Sequence, residues 1–187
     1  MTGRAIASER LPRSGNVALA SGALIQLALG VEFVLAGLSK VVDPDFPLQF
    51  RTFVTASPGA VDGPLSGLIQ LFVAPNTGFI ALLAMWTELL AGTALVVTAV
   101  EVLRRRLASP IGAEHRYEPL MALVSTVAAF ALGCMSLAIY MLEGGRFPRV
   151  DAGFAFTSPI AIELFVVPLA LAIALLEFGR YWALRHT

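Results

Sequence analysis

Three glutamates and one lysine stand where ionisable side chains are costly. Glu32, Glu88 and Glu163 each interrupt a long apolar run, and Lys40 closes the first of those runs. In hydrocarbon an ionisable group usually faces protein or a water-filled cavity, and so marks a functional site. Counting inward from the run ends at about 1.5 Å per residue places all three carboxyls roughly 12–16 Å below one surface. Three ionised carboxylates do not share a low-dielectric pocket cheaply, so at least one is expected to carry a proton. Such a group relays protons or donates a hydrogen bond to a carbonyl. Lys40 either pairs with one of the carboxyls or extends outward to the surface. The competing expectation is that each glutamate separately hydrogen-bonds a Ser, Thr or Tyr and sets helix register.

The elements that must position these residues follow from composition. The chain has 187 residues, 57% hydrophobic and 14% charged, with mean hydropathy +0.79, which argues against a water-soluble globule. A spanning helix needs about 20 mostly apolar residues. Four stretches qualify, at about 16–41, 78–101, 119–142 and 155–179. They predict an all-α, four-helix transmembrane bundle filling residues 16–182, after a polar arm at 1–15 and before a short tail at 183–187. The first run is longer than the ~7–15-residue core of a signal peptide and is expected to be retained.

Charge placement predicts orientation. Nine basic residues lie before the first run, between the second and third, or after the fourth; Lys40, Arg51, Arg146 and Arg149 lie at the other end. The positive-inside rule then puts both termini in the cytoplasm. The formal net charge is zero, so charge balance gives no reason to expect nucleic acid, and the bilayer is the expected partner.

On a helical period, Gly30 and Gly37 form a small-residue face of helix 1, with Glu32, Ser39 and, at the edge, Lys40 on another. Ala84, Glu88 and Gly92 are spaced by four, so Glu88 is expected inside the bundle. Ser125, Ala129, Gly133, Ser136 and Tyr140 share one row of helix 3. Glu163, Val167, Ala170, Ala174 and Glu177 share one face of helix 4, where Pro168 predicts a kink and Glu177 is expected to be solvated near the cytoplasmic end. The connection 43–77 holds Pro44, Pro47, Pro58, Pro64 and Pro75 and two amphipathic runs, 46–54 and 65–73, which are expected to lie in the outer interface as a lid, a binding element or a simple linker. Gly144, Gly145 and Pro148 predict a tight turn after helix 3.

The remaining reactive residues narrow the chemistry. One cysteine, Cys134, excludes an internal disulfide and is read as a small buried residue. His115 and His186 have no second ligand at metal spacing, and no haem or flavin signature is evident.

The run Leu29-Gly30-Val31-Glu32-Phe33-Val34-Leu35-Ala36-Gly37-Leu38-Ser39-Lys40 resembles the opening signature of the DoxX/DoxD-like membrane proteins, and Trp86-Thr87-Glu88-Leu89-Leu90-Ala91-Gly92 is similar to the E-L-x-x-G segment of that family's second helix. The resemblance covers about residues 17–182. By position, Gly37, Lys40 and Glu88 carry over to the family pattern. The resemblance implies a subunit of a redox system in a prokaryotic plasma membrane, and one branch is the small subunit of thiosulfate:quinone oxidoreductase. On that reading a quinone occupies the outer-half pocket, bound by Lys40, Gly37 and Glu88, while Glu88, Glu32 and Glu163 handle protons. A small sulfur compound is oxidised, and a partner subunit or a second copy completes the assembly. A related branch supports maturation of extracytoplasmic redox enzymes, although this chain lacks the cysteines of the dithiol-handling relatives. A non-enzymatic scaffold or assembly factor, and a small-solute or proton transporter, stand as the alternatives.

Overall fold

A computed structural model describes residues 13–107, 117–145 and 161–186. Among these residues the chain forms helices joined by turns, with no strands. Four long helices dominate: α1 (Arg13–Val42), α5 (Thr77–Leu107), α6 (Glu118–Leu142) and α7 (Ile162–His186). Each is long and apolar enough to cross a membrane. Between α1 and α5 lie α2 (Phe46–Ala56), α3 (Pro58–Val61) and α4 (Ser66–Leu68). A π-helical turn over Ile69–Val73 and a 3-10 turn over Ala74–Asn76 then join α4 to α5. Pro75 removes one backbone donor, and these wider and tighter turns carry the helical path past it.

The bundle is two close antiparallel pairs. α1 packs chiefly on α5, and α6 on α7, with a thinner α5–α6 seam between the pairs. Their shared centre holds Leu29, Phe33, Leu95, Ala129, Leu132, Ala170 and Ile173. Many large apolar side chains, including Leu35, Phe79, Leu90, Phe130, Phe165 and Leu175, remain exposed on the long helices. Such an all-round apolar surface is what lipid, rather than water, accommodates.

Periodicity read the packing faces well. Ser125, Ala129, Gly133, Ser136 and Tyr140 are all buried in α6, as are Ala170 and Ala174 in α7. α6 ends at a glycine turn, with Gly144 and Gly145 at φ 99° and 58°. Gly145 N–H donates to Tyr140 O at 3.0 Å, and the left-handed backbone there favours glycine.

Boundaries moved more. α1 begins at Arg13 rather than near 16, α5 continues to Leu107 rather than stopping near 101, and α7 runs to His186 rather than 179. Helix propagation is inexpensive once a turn is formed, and the basic residues beyond the apolar runs are compatible with it. The expected tail at 183–187 is thus helical through residue 186. The expected start of helix 4 near 155, and His115, Arg116, Arg146, Arg149 and Asp151, lie outside the described residues.

The connection 43–77 folds back as a cap. Val54, Ala60 and Ile69 form a second small core with Leu142 at the end of α6, and Phe50 and Val73 pack on it. A Cβ on Gly59 would overlap the Met141 carbonyl, so this residue lets α3 dock against α6.

Candidate functional site

The site is built where α1 and α5 come closest. Buried residues of α1 follow the spacing 23, 26, 30, 33, 37, with Lys40 next in the series, alternating steps of three and four that keep one seam facing a partner helix. A Cβ on Gly37 would stand 2.8 Å from Leu89 N, and one on Gly92 would stand 2.8 Å from Val34 N. Only glycine allows the two backbones to approach this far.

That approach delivers the ion pair. Lys40 Nζ donates to Glu88 Oε2 at 2.5 Å and to Ala36 O at 3.4 Å. Glu88 is 3% exposed, while the Lys40 side chain keeps 26%. A buried carboxylate without its counter-charge is costly, and Lys40 supplies that charge from the last turn of α1. Its ammonium also lies 5.8 Å from the centroid of the Phe46 ring.

Beside the pair opens a groove of about 940 Å³. α2 contributes Phe46, Phe50 and Phe53, spaced to share one helical face, and the α4-to-π segment contributes Leu65, Leu68, Ile69 and Phe72. α5 adds Ile80 and Ala84, and α6 adds Met135, Leu137, Ala138 and Met141. The Phe46 and Phe50 rings are 6.0 Å apart and tilted by 53°. Leu68, Phe72 and Leu137 are exposed, so the groove opens sideways onto the apolar belt. Its wall is apolar except around Lys40, Glu88 and Gln49, whose amide donates to Asp43 Oδ2 at 3.0 Å. The arrangement suits an amphiphile: a flat or elongated apolar body, with a polar head at Lys40 and Glu88. An ammonium has three donors; Glu88 and Ala36 occupy two, leaving one for a carbonyl or anionic oxygen.

The structure joins Lys40, Gly37 and Glu88 and leaves the other two expected glutamates apart. Glu32 is exposed and does not line the groove. It sits about 80° around α1 from Lys40, whereas Gly37 is only about 60° away, so Lys40 belongs to the glycine seam rather than to a polar face with Glu32. Glu163, in the first turn of α7, lies by Glu143 at the end of α6. Burial, and then the Glu163 charge, push the Glu143 carboxyl up from its ordinary range.

Two further residues depart from expectation. Cys134 is exposed and lines the groove, because its position faces away from the Gly133 contact with α7. Glu177 is 2% exposed rather than solvated, held by Arg180 at 3.0 Å from its own helix. Gln26, 1% exposed, was not singled out by type, yet its place in the spacing of Gly30 and Gly37 marks it. No protein-family model, curated protein or solved structure matches the chain.

Proposed function

We propose that the chain is a quinone-binding subunit of a membrane redox system, with the quinone head at Lys40 and Glu88 and its isoprenoid tail along the aromatic groove. The observation that carries this reading is the single ion pair set at the edge of an otherwise apolar, laterally open groove. Its volume, about 940 Å³, lies in the range of cofactor sites. The free donor of Lys40 holds a quinone carbonyl, and the Phe46 and Phe50 rings offer faces to the flat head.

Reduction of a quinone to a quinol takes two electrons and two protons. Lys40 and Glu88 stand where protons are delivered to the two oxygens. The electrons come from a partner subunit or from a small sulfur compound oxidised at the α2 end, as the family resemblance implies. On this reading the α2 end is extracytoplasmic, and both termini are cytoplasmic in a prokaryotic plasma membrane. Gly37 acts on the site indirectly, through the helix spacing that brings Lys40 to Glu88.

The test is direct. Protein purified in mild detergent is expected to carry quinone, extractable and identifiable by mass. Glu88→Gln and Lys40→Met are expected to weaken rebinding of a short-chain quinone by about tenfold or more, equivalent to about 1.4 kcal/mol. Quinone-free wild type that rebinds none would refute the reading. A co-purifying protein without quinone would instead favour an assembly factor.

A further inference from the structure

A second polar layer lies in the other half of the bundle, away from the groove. Gln26 donates through Nε2 to Leu95 O at 3.1 Å and to Ser125 Oγ at 2.9 Å, joining α1, α5 and α6. Leu95 O can only accept, which fixes the amide orientation. The Gln26 carbonyl oxygen, Oε1, therefore points elsewhere, and it is buried without a hydrogen-bond partner. On α7, Glu177 Oε1 accepts from Arg180 Nη1 at 3.0 Å, while Glu177 Oε2 is also buried and unpartnered. Each orphaned acceptor has given up its bonds to water without replacement, which opposes burial.

The two orphans share a level. A Cβ on Gly133 would touch Ala170 Cβ at 3.2 Å, which aligns α6 with α7. Ser125 is about 12 Å along α6 from that contact and Glu177 about 10 Å along α7 in the same direction. The Gln26 amide is bonded to Ser125, so it lies in that layer too. Helical side chains lean toward their own N-terminus. Gln26 thus leans toward Gly22, where α1 meets α7: a Cβ on Gly22 would stand 3.0 Å from Leu176 Cδ1, the neighbour of Glu177.

We infer that Gln26, Ser125 and Glu177 form a proton-binding site, in which Glu177 takes a proton on Oε2 and donates it to Gln26 Oε1. One added proton satisfies both orphaned oxygens. It is released by a hydronium ion at the end where α1 begins and α7 finishes, which leaves water. No electron moves, and the only heavy-atom change is the rotation that aligns the carboxyl.

The charged neighbours are consistent with this. Arg180 is the group bonded to Glu177, and at the same level α1, α5 and α6 present Ala23, Thr98 and Ser125, all buried and uncharged. Glu101 with Arg104 on α5, and Glu118 on α6, lie within about two turns toward the terminal end. Leu29, Phe33, Ala91 and Leu132 separate this layer from Glu88, so the site is distinct from the groove and does not depend on what fills it.

Infrared difference spectra of the full-length protein in lipid nanodiscs, taken between about pH 4 and 9, decide the matter. A carboxylic C=O band is expected in wild type and in Glu88→Gln, and is lost in Glu177→Gln. In Gln26→Leu the band moves to higher frequency, because the acid loses its acceptor. A spectrum in which Glu177→Gln removes no band at any pH overturns the site, as does a Gln26→Leu band at the wild-type frequency. The first of those results is also what an ionised Glu177 bridged by water would give. Should Gln26→Leu not fold, the wild-type and Glu177→Gln spectra suffice.

Discussion

Lys40 shows how one residue acquires its role from three neighbours. Gly37 brings its helix close, Glu88 takes its proton-rich end, and Phe46 covers it. A lysine at this depth without Glu88 extends to the surface; with Glu88 it closes the head of the groove. Glu143 illustrates the opposite case, a carboxyl raised by partial burial and by Glu163 rather than steadied by a cation. Its ionisation opposes the fold, so the stability it permits is complete below the ordinary value of 4.5 and is lost as pH rises through its folded value. Glu143→Gln is therefore expected to flatten the fall in melting temperature as pH rises from about 4.5, leaving the acid-side value unchanged. Thermal unfolding in detergent across that interval checks this, and a parallel fall in wild type and variant would contradict it.

At the scale of elements, the glycine seam of α1 and α5 decides whether the site exists. A Cβ on Gly92 would stand 2.8 Å from Val34 N and 2.9 Å from Gly30 O, whereas one on Gly78 of the same helix meets nothing within 4 Å. Backbone atoms cannot rotate aside as a side chain does, so Gly92→Ala must separate the helices. Overpacking of this kind costs about 1–3 kcal/mol, and it draws Lys40 away from Glu88. Gly78→Ala, by contrast, is expected to be neutral or slightly stabilising. Melting temperature and ligand retention, measured together, test the pair; equal behaviour of the two variants would mean that the seam is not rigid. This seam was legible in the residue types, since Gly30, Gly37, Glu88 and Gly92 fall at packing intervals. Glu32 was misleading because counting gave it the depth of Glu88, whereas Gly37 lies against Leu89 and leaves Glu32 about 8 Å further along α1, and counting does not report azimuth. Gln26 and Glu177 were less visible because burial of a polar residue depends on which helix lies opposite, a property of tertiary packing rather than of spacing along one helix.

For the whole molecule, the four apolar helices were readable from composition, while the groove and the cap over it were not. Its prolines divide 43–77 into short pieces, and their docking on Leu142 is a long-range contact that local sequence does not encode. The groove consequently belongs to one face of the membrane, and the charges give an expectation of which. Among the described residues, Arg13, Arg104, Arg105, Arg106, Arg180 and Arg185 belong to the helix ends opposite the cap, and Lys40 and Arg51 to the cap end, a distribution from which the end opposite the cap is expected to be cytoplasmic. Asp62 in the cap and His186 at the end of α7 are both exposed, so cysteines placed there report the two faces once Cys134→Ala removes the native thiol. A membrane-impermeant maleimide added to intact cells is expected to label Asp62→Cys and to spare His186→Cys until the membrane is opened. The reverse pattern would turn the groove toward the cytoplasm, where an extracytoplasmic sulfur compound could not reach it and the electron donor would have to be sought on the inner side.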